Sequence, residues 1–157
     1  MNYYKSIIRL LEIVLCWFAD YNFSIRCGGP SIRSANGILY EADNATFGPA
    51  TYYTTNTQRW AVSNTGLPAD GKNPEYRSSS SSQFTNTLDS ELFQTARMSA
   101  GSLRYYGLGL ENGNYTVKLQ FAESEILDTK SWMSLGRRHF DIYVQVCILL
   151  CLELKVQ

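Results

Sequence analysis

Leu103-Arg104-Tyr105-Tyr106-Gly107-Leu108-Gly109-Leu110, then Glu111-Asn112-Gly113-Asn114, then Tyr115-Thr116-Val117-Lys118-Leu119-Gln120-Phe121-Ala122-Glu123 is the stretch that decides the fold. In its second half Tyr115, Val117, Leu119 and Phe121 alternate with Thr116, Lys118, Gln120 and Ala122. A period of two puts one set on each face of an extended chain, so this segment is a half-buried strand. Residues 103–110 form a second β-prone run, and Asn112-Gly113 between the two is a hairpin turn signal. The expectation is a β-hairpin over 103–123.

Outward from it, the same vocabulary recurs. Asn36-Gly37 is a second turn signal, followed by a short strand at 38–41. Tyr52-Tyr53 and 59–63 are β-prone, 92–98 is a candidate strand, and Phe140-Asp141-Ile142-Tyr143-Val144-Gln145 alternates again. Cys27-Gly28-Gly29-Pro30 and Gly48-Pro49 break regular structure, 66–74 is turn-rich and polar, and the serines at 78–82 read as a solvated loop. Many short strands without a helical period predict an all-β sandwich or barrel. No internal repeat or heptad is present.

Composition narrows the function classes. At 157 residues the chain is the size of one domain, and 45% hydrophobic content is enough to bury a core. Fourteen Lys and Arg balance fourteen Asp and Glu, which removes the electrostatic case for nucleic-acid binding. Arg137-Arg138 is the nearest thing to a basic run. Of the four cysteines, Cys27 lies in the body of the chain, and Cys16, Cys147 and Cys151 lie in apolar end segments. With a single histidine, His139, remote in sequence from other soft ligands, no metal site is expected. No cofactor motif is present. The eleven tyrosines suit both strand packing and binding surfaces.

The two ends differ from the body. Lys5 and Arg9 precede an apolar stretch at 10–19 that resembles a signal peptide, although Glu12 interrupts it and Trp17 is a poor residue near a cleavage site. Residues 1–24 are therefore expected to be a leader or signal-like segment, too short for a membrane span. From Val146 the chain turns into an apolar tail, 146–157, which is either a buried strand or sequence foreign to the domain. Three glycosylation sequons begin at Asn22, Asn44 and Asn114, which points to a secretory route.

Ordered blocks of the chain resemble a known family. Ile25-Arg26-Cys27-Gly28-Gly29-Pro30, Gly37-Ile38-Leu39-Tyr40-Glu41-Ala42-Asp43 and Arg59-Trp60-Ala61 look like the start of a malectin domain, of the kind found in the ectodomains of plant leucine-rich-repeat receptor-like serine/threonine kinases. Ser90-Glu91-Leu92-Phe93-Gln94-Thr95-Ala96-Arg97, the 103–117 stretch, Phe121-Ala122-Glu123, Leu135-Gly136-Arg137-Arg138 and the strand at 140–145 continue the likeness, which covers 25–145. The resemblance implies a jelly-roll-like β-sandwich related to animal malectin, an endoplasmic-reticulum lectin. It implies a non-catalytic domain, secreted or on the extracellular face of the plasma membrane, that binds a glycan or cell-wall oligosaccharide. The alternative is a protein-interaction module for a peptide or a co-receptor ectodomain. Kinase motifs, leucine-rich repeats and a membrane helix, which full-length members carry, are not in this sequence. The family often has Cys where this chain has Gly109, so a Cys27 disulfide to that position cannot form. The resemblance ends after Gln145, so the sandwich is expected to be partial and to lack its C-terminal strands, as in a truncated gene product.

A carbohydrate site needs aromatic faces for the apolar side of a sugar ring and polar groups for its hydroxyls. The candidates are Tyr40, Tyr52, Tyr53, Tyr105 and Tyr106. If 103–110 is a strand, Tyr105 and Tyr106 point to opposite faces, so one of them at most meets a given sugar. Glu41 and Asp43 are acids that either accept sugar hydroxyls or lie exposed in a loop. Glu123 and Glu125, two apart, do not present the opposed carboxylates of a glycosidase. No nucleophile elbow, phosphate loop or zinc-binding histidine pair is present, and no catalytic residue is expected.

Overall fold

The structure, a computed structural model, describes residues 6–8, 10–15, 22–67, 76–123, 138–144 and 147–154, with side chains described over 22–67, 76–123 and 140–144. Thirteen strands are present among these residues: β1 (Ser6–Ile8), β2 (Leu10–Leu15), β3 (Phe23–Cys27), β4 (Ile32–Arg33), β5 (Leu39–Asp43), β6 (Ala50–Thr54), β7 (Trp60–Thr65), β8 (Arg77–Ser79), β9 (Thr95–Ser99), β10 (Ser102–Gly107), β11 (Tyr115–Gln120), β12 (Arg138–Val144) and β13 (Cys147–Leu154). The all-β expectation holds: the one helical element among the described residues is a 3-10 turn, Ser90–Phe93.

The strands form a five-stranded sheet in the order β11-β2-β3-β5-β4, two three-stranded sheets, β10-β7-β6 and β1-β9-β8, and the β12-β13 pair. Pairing is antiparallel except between β3 and β5. The five-stranded sheet and the β10-β7-β6 sheet face each other across the main core. From the first come Phe23, Ile25 and Cys27, with Val117 and Leu119 packed beside them. From the second come Trp60 and Val62, with Tyr53, Leu103 and Tyr105. Phe47 and Tyr76 close the side. This is the layered arrangement of a sandwich.

The turn signals meet different fates. Asn36-Gly37 forms the β4–β5 hairpin: Gly37 takes φ +81° and donates to the Ser34 carbonyl at 2.9 Å, and Ser34 N–H donates to Ile38 at 2.9 Å. That is a three-residue loop closed by a left-handed glycine. Asn112-Gly113 does not form a hairpin, and the expected ribbon over 103–123 is corrected. β10 pairs with β7, and β11 pairs with β2 in the opposite sheet. The primed turn that Asn-Gly favours needs positive φ at both central residues, and neither Asn112 nor Gly113 has it. Left-handed geometry falls instead at Gly109, φ +67°, in a seven-residue connection from β10 to β11. The two strands still share a core, meeting through side chains across the sandwich.

Three further differences are local. The candidate strand at 92–98 begins as the 3-10 turn and becomes β9 at Thr95, because Leu92 is held under the five-stranded sheet against Tyr40. Arg77–Ser79 joins β9 as an edge strand, so the serine tract is loop only from Ser80 onward. Residues 6–8 and 10–15, inside the segment expected to be a leader, pair with β9, and with β3 and β11, respectively. An apolar run such as Leu10–Leu15 meets the needs of a signal peptide and of a buried strand alike. The 147–154 tail segment pairs with β12, and Phe121 packs on Phe140 at 5.2 Å between ring centres.

β5 inverts the usual polarity. Its register with β3 sets Glu41 beside Ile25 and Asp43 beside Cys27, facing the core. Tyr40 faces the other side, under the 3-10 turn. Both acids are matched. Glu41 accepts the indole N–H of the fully buried Trp60 at 2.9 Å. Asp43 forms an ion pair with Arg97 in which neither side chain has any exposure. Arg97 gives its Nε–H to Asp43 Oδ2 at 3.1 Å and its Nη2–H groups to Asp43 Oδ1 and to the Asp43 carbonyl, the latter at 2.6 Å. Its Nη1 reaches the Ala45 carbonyl at 2.9 Å, and the guanidinium lies 3.9 Å over the Phe47 ring. Gly28, at φ +73°, donates to Asp43 Oδ2 at 3.2 Å, and any Cβ there would overlap the Ala96 carbonyl.

Asp43→Ala leaves Arg97 buried without its counter-charge and is expected to cost about 3–5 kcal/mol in urea unfolding. The double variant Asp43→Leu with Arg97→Met is expected to recover much of that loss, but not all, because Gly28 N–H and the Tyr105 hydroxyl lose their acceptor.

Candidate functional site

The outward face of the β10-β7-β6 sheet is set by its register. Tyr52 on β6 lies opposite Ser63 on β7, which lies opposite Arg104 on β10. Tyr106 lies opposite Ala61, and Ser102 opposite Thr65. Directly opposed residues of antiparallel strands share a face, so Tyr52, Ser63, Thr65, Ser102, Arg104 and Tyr106 form one surface. The residues between them, Tyr53, Val62 and Tyr105, belong to the core face.

Two aromatic rings dominate this surface. Tyr52 is 62% exposed and Tyr106 is 37% exposed. Their ring centres are 6.1 Å apart and the planes are inclined by 58°. The Tyr106 hydroxyl shares a hydrogen bond of 3.1 Å with the Ser63 hydroxyl, and Thr65 and Ser102 share one of 2.6 Å. Arg104 is exposed beside them. The face thus offers apolar ring surface bordered by hydroxyls and a guanidinium, the pairing that suits a molecule with C–H faces and hydroxyl edges.

The five candidate tyrosines separate accordingly. Tyr52 and Tyr106 come together on the open face. Tyr40 is 4% exposed and packs with Leu92 on the far side of the five-stranded sheet. Tyr53 packs against the main core. Tyr105 turns inward, its ring 6.1 Å from that of Trp60 and its hydroxyl donating to Asp43 Oδ2 at 2.7 Å. The expectation that Tyr105 and Tyr106 take opposite faces is met. Neither Asp43 nor Glu41 is a loop acid: Asp43 is fully buried against Arg97, while Glu41 keeps partial exposure and is held by Trp60 and Arg59. Arg97 and Ser63 were not among the sequence candidates. Ser63 has no signal beyond its place in register, while Arg97 lies in a quoted family block without an assigned role. Glu125 lies outside the described residues. Asn22, Asn44 and Asn114 are all exposed.

Electrostatics follow burial. The Tyr105 hydroxyl is held well above the usual tyrosine range, first because burial penalises the phenolate, then because Cys27 and Asp43 lie beside it. For Arg97, burial acts to lower the pKa, but the Asp43 carboxylate outweighs it and the net direction is upward, so the guanidinium stays charged. Arg26 behind the sheet is shifted downward by burial, opposed by Glu91, whose carboxylate is 3.8 Å away. Cys27 is a buried thiol outside any disulfide.

A separate open groove of about 600 Å³ runs along the side of the sandwich past Thr46, Phe47, Tyr76, Arg77, Ser78 and Thr95.

Taken together, the layers and the register define an all-β sandwich module with one sheet face left open. The chain belongs to the malectin domain family, whose model matches residues 21–150. Two probable LRR receptor-like serine/threonine-protein kinases of Arabidopsis thaliana are each 60% identical to it over 126 residues, 79% of this chain and 12% of theirs. A probable leucine-rich repeat receptor-like serine/threonine-protein kinase of the same plant is 43% identical over 147 residues, 90% of this chain and 14% of its own. The chain therefore spans about an eighth of the length of the curated relatives it matches. No solved structure matches it at a significant level.

Replacing Tyr105 by Phe removes a buried bond to a carboxylate and is expected to lower stability by about 1.5–3 kcal/mol, whereas Tyr106→Phe is expected to change it by under about 0.5 kcal/mol. Because the folded-state pKa of Tyr105 lies above its unfolded value of about 10, its contribution is complete below that pH and is lost as pH rises beyond it. Urea midpoints from pH 8 to 11 are expected to fall more steeply in the parent than in Tyr105→Phe.

Proposed function

We propose that this domain is a non-catalytic, extracellular module that binds carbohydrate of the cell-wall oligosaccharide class, and that the Tyr52–Tyr106 face is where the sugar rests. The observation that carries this is the pair of solvent-facing rings 6.1 Å apart on an ordered sheet, bordered by Ser63, Thr65, Ser102 and Arg104. The outer faces of the two rings are left uncovered by the fold, and strand-borne rings lose little freedom when a ligand lands on them. Membership of the malectin family and likeness to receptor-like kinases support an ectodomain setting outside the cell. Tyr40, Tyr53 and Tyr105 act in this scheme as packing residues, and the Asp43 bond to Tyr105 fixes the strand from which Tyr106 projects.

A glycan array probed with secreted, folded protein is the direct test. Binding to a plant oligosaccharide is expected, with Tyr52→Ala and Tyr106→Ala each weakening it about tenfold, some 1.4 kcal/mol. Their unfolding midpoints are expected to stay near that of the parent. Absence of any glycan binding, together with capture of a co-receptor ectodomain, would establish the protein-interaction alternative instead.

A further inference from the structure

The fold treats the sequons at Asn22 and Asn44 differently. Asn22 leads straight into β3, where Ser24 is buried between β2 and β5, and the Asn22 carbonyl accepts a bond from the Arg59 guanidinium. Once those strands pair, that serine is closed to an enzyme. Asn44 is the reverse case. It follows β5 in an irregular segment, and both Asn44 and Thr46 are exposed. The backbone beneath them is pinned: Arg77 Nη1 donates to the Asn44 carbonyl at 3.0 Å and Arg97 Nη1 to the Ala45 carbonyl at 2.9 Å. The triplet is therefore displayed from a fixed platform, with its reactive side chains outward.

This platform is the rim of the open groove. Thr46, the hydroxyl residue of the sequon, lines the groove, and so does Arg77, the residue bonded to the Asn44 carbonyl. Ser78 and Thr95 add hydroxyl-bearing side chains, and Phe47 and Tyr76 form its aromatic base. A volume of about 600 Å³ is in the range of small-ligand sites. A mixed hydroxyl, guanidinium and aromatic lining is the chemistry that receives a sugar.

We propose that Asn44 carries an N-linked glycan whose first sugars lie along this groove, so that the groove is a seat for the protein's own glycan. In the modification, Asn44 Nδ2 bonds to the anomeric carbon of a lipid-diphosphate-linked oligosaccharide. The anomeric C–O bond breaks, the lipid diphosphate leaves with the electron pair, and the amide nitrogen gives up one proton to a base of the transferase. No redox step is involved. The inference requires passage through a secretory pathway and is independent of sugar binding at Tyr52 and Tyr106.

The full chain, carried into the secretory pathway of plant or insect cells by an appended export signal, is analysed by peptide mass spectrometry and hydrogen exchange. The Asn44 peptide is expected to bear a glycan that peptide-N-glycosidase removes and Asn44→Gln lacks. Amide exchange across Arg77–Ser79 is expected to be at least roughly threefold faster without the glycan. An unmodified Asn44 in folded, secreted protein overturns the site. A glycan whose removal leaves exchange at Arg77–Ser79 unchanged overturns the seat. Should Asn44→Gln fail to be secreted, enzymatic deglycosylation of the folded parent supplies the same comparison. Oligosaccharide binding by the Tyr52–Tyr106 face, measured on the same samples, reports separately on the proposed function.

Discussion

A single carboxylate, that of Asp43, holds this sandwich in register. It ends β5 of the five-stranded sheet and accepts hydrogen bonds from Arg97 on β9, from Tyr105 on β10 and from the backbone of Gly28. Three sheets therefore converge on one side chain. A charge pair without solvent contact is expensive unless almost every donor and acceptor is matched. Here both carboxylate oxygens are used, and Arg97 spreads its donors over Asp43 and the Ala45 carbonyl while its face rests on Phe47. Apolar packing among Phe23, Ile25, Trp60 and Val62 favours bringing the sheets together but tolerates sliding. The Asp43 bonds are directional and do not. Gly28 belongs to the same device, because the close approach of Ala96 to its backbone leaves no room for a side chain.

The sequence makes the strands legible and their partners less so. Alternation in 115–121 announces a half-buried strand correctly, because that pattern reports on the two faces of one chain. Which strand lies alongside is a question of backbone hydrogen bonding, on which side-chain polarity is silent. Asn36-Gly37 and Asn112-Gly113 carry the same dipeptide. The first closes a hairpin because β4 ends three residues before it and β5 begins two residues after it; the second sits in a long crossover whose positive-φ glycine is elsewhere. Polarity misleads most at β5, where Glu41 and Asp43 face the core and Tyr40 faces away. Both sides of that strand are covered, so acids can turn inward wherever a buried Trp60 or Arg97 waits for them. Nothing local to 39–43 reveals those partners, which come from 19 and 54 residues further on.

The same division holds for the open face. That Tyr105 and Tyr106 part company follows from strand geometry alone. Which of them meets solvent depends on the sheet into which β10 is built, and that became visible only with its pairing to β7. Tyr52 and Tyr106 are 54 positions apart in the chain and are neighbours because β7 lies between their strands. Ser63 enters the surface for the same reason, with no motif to mark it. Malectin family membership was legible from ordered blocks such as 25–30 and 90–97, several of which prove to be parts of the Asp43 network rather than of the exposed surface. The resemblance identified the scaffold more readily than the positions exposed on the open face.

The alternation of β6, β7 and β10 also bears on how such a domain diversifies. Every outward position on this face is backed by an inward neighbour that secures the core: Tyr52 by Tyr53, Ser63 by Val62, Tyr106 by Tyr105. Exposed substitutions away from buried networks typically shift stability by no more than about 0.5 kcal/mol. A lineage can therefore rewrite the chemistry displayed at 52, 63, 104 and 106 while the alternate positions preserve the architecture. Surface and core are written on the same strands in interleaved letters, which leaves new surface chemistry within reach of single substitutions.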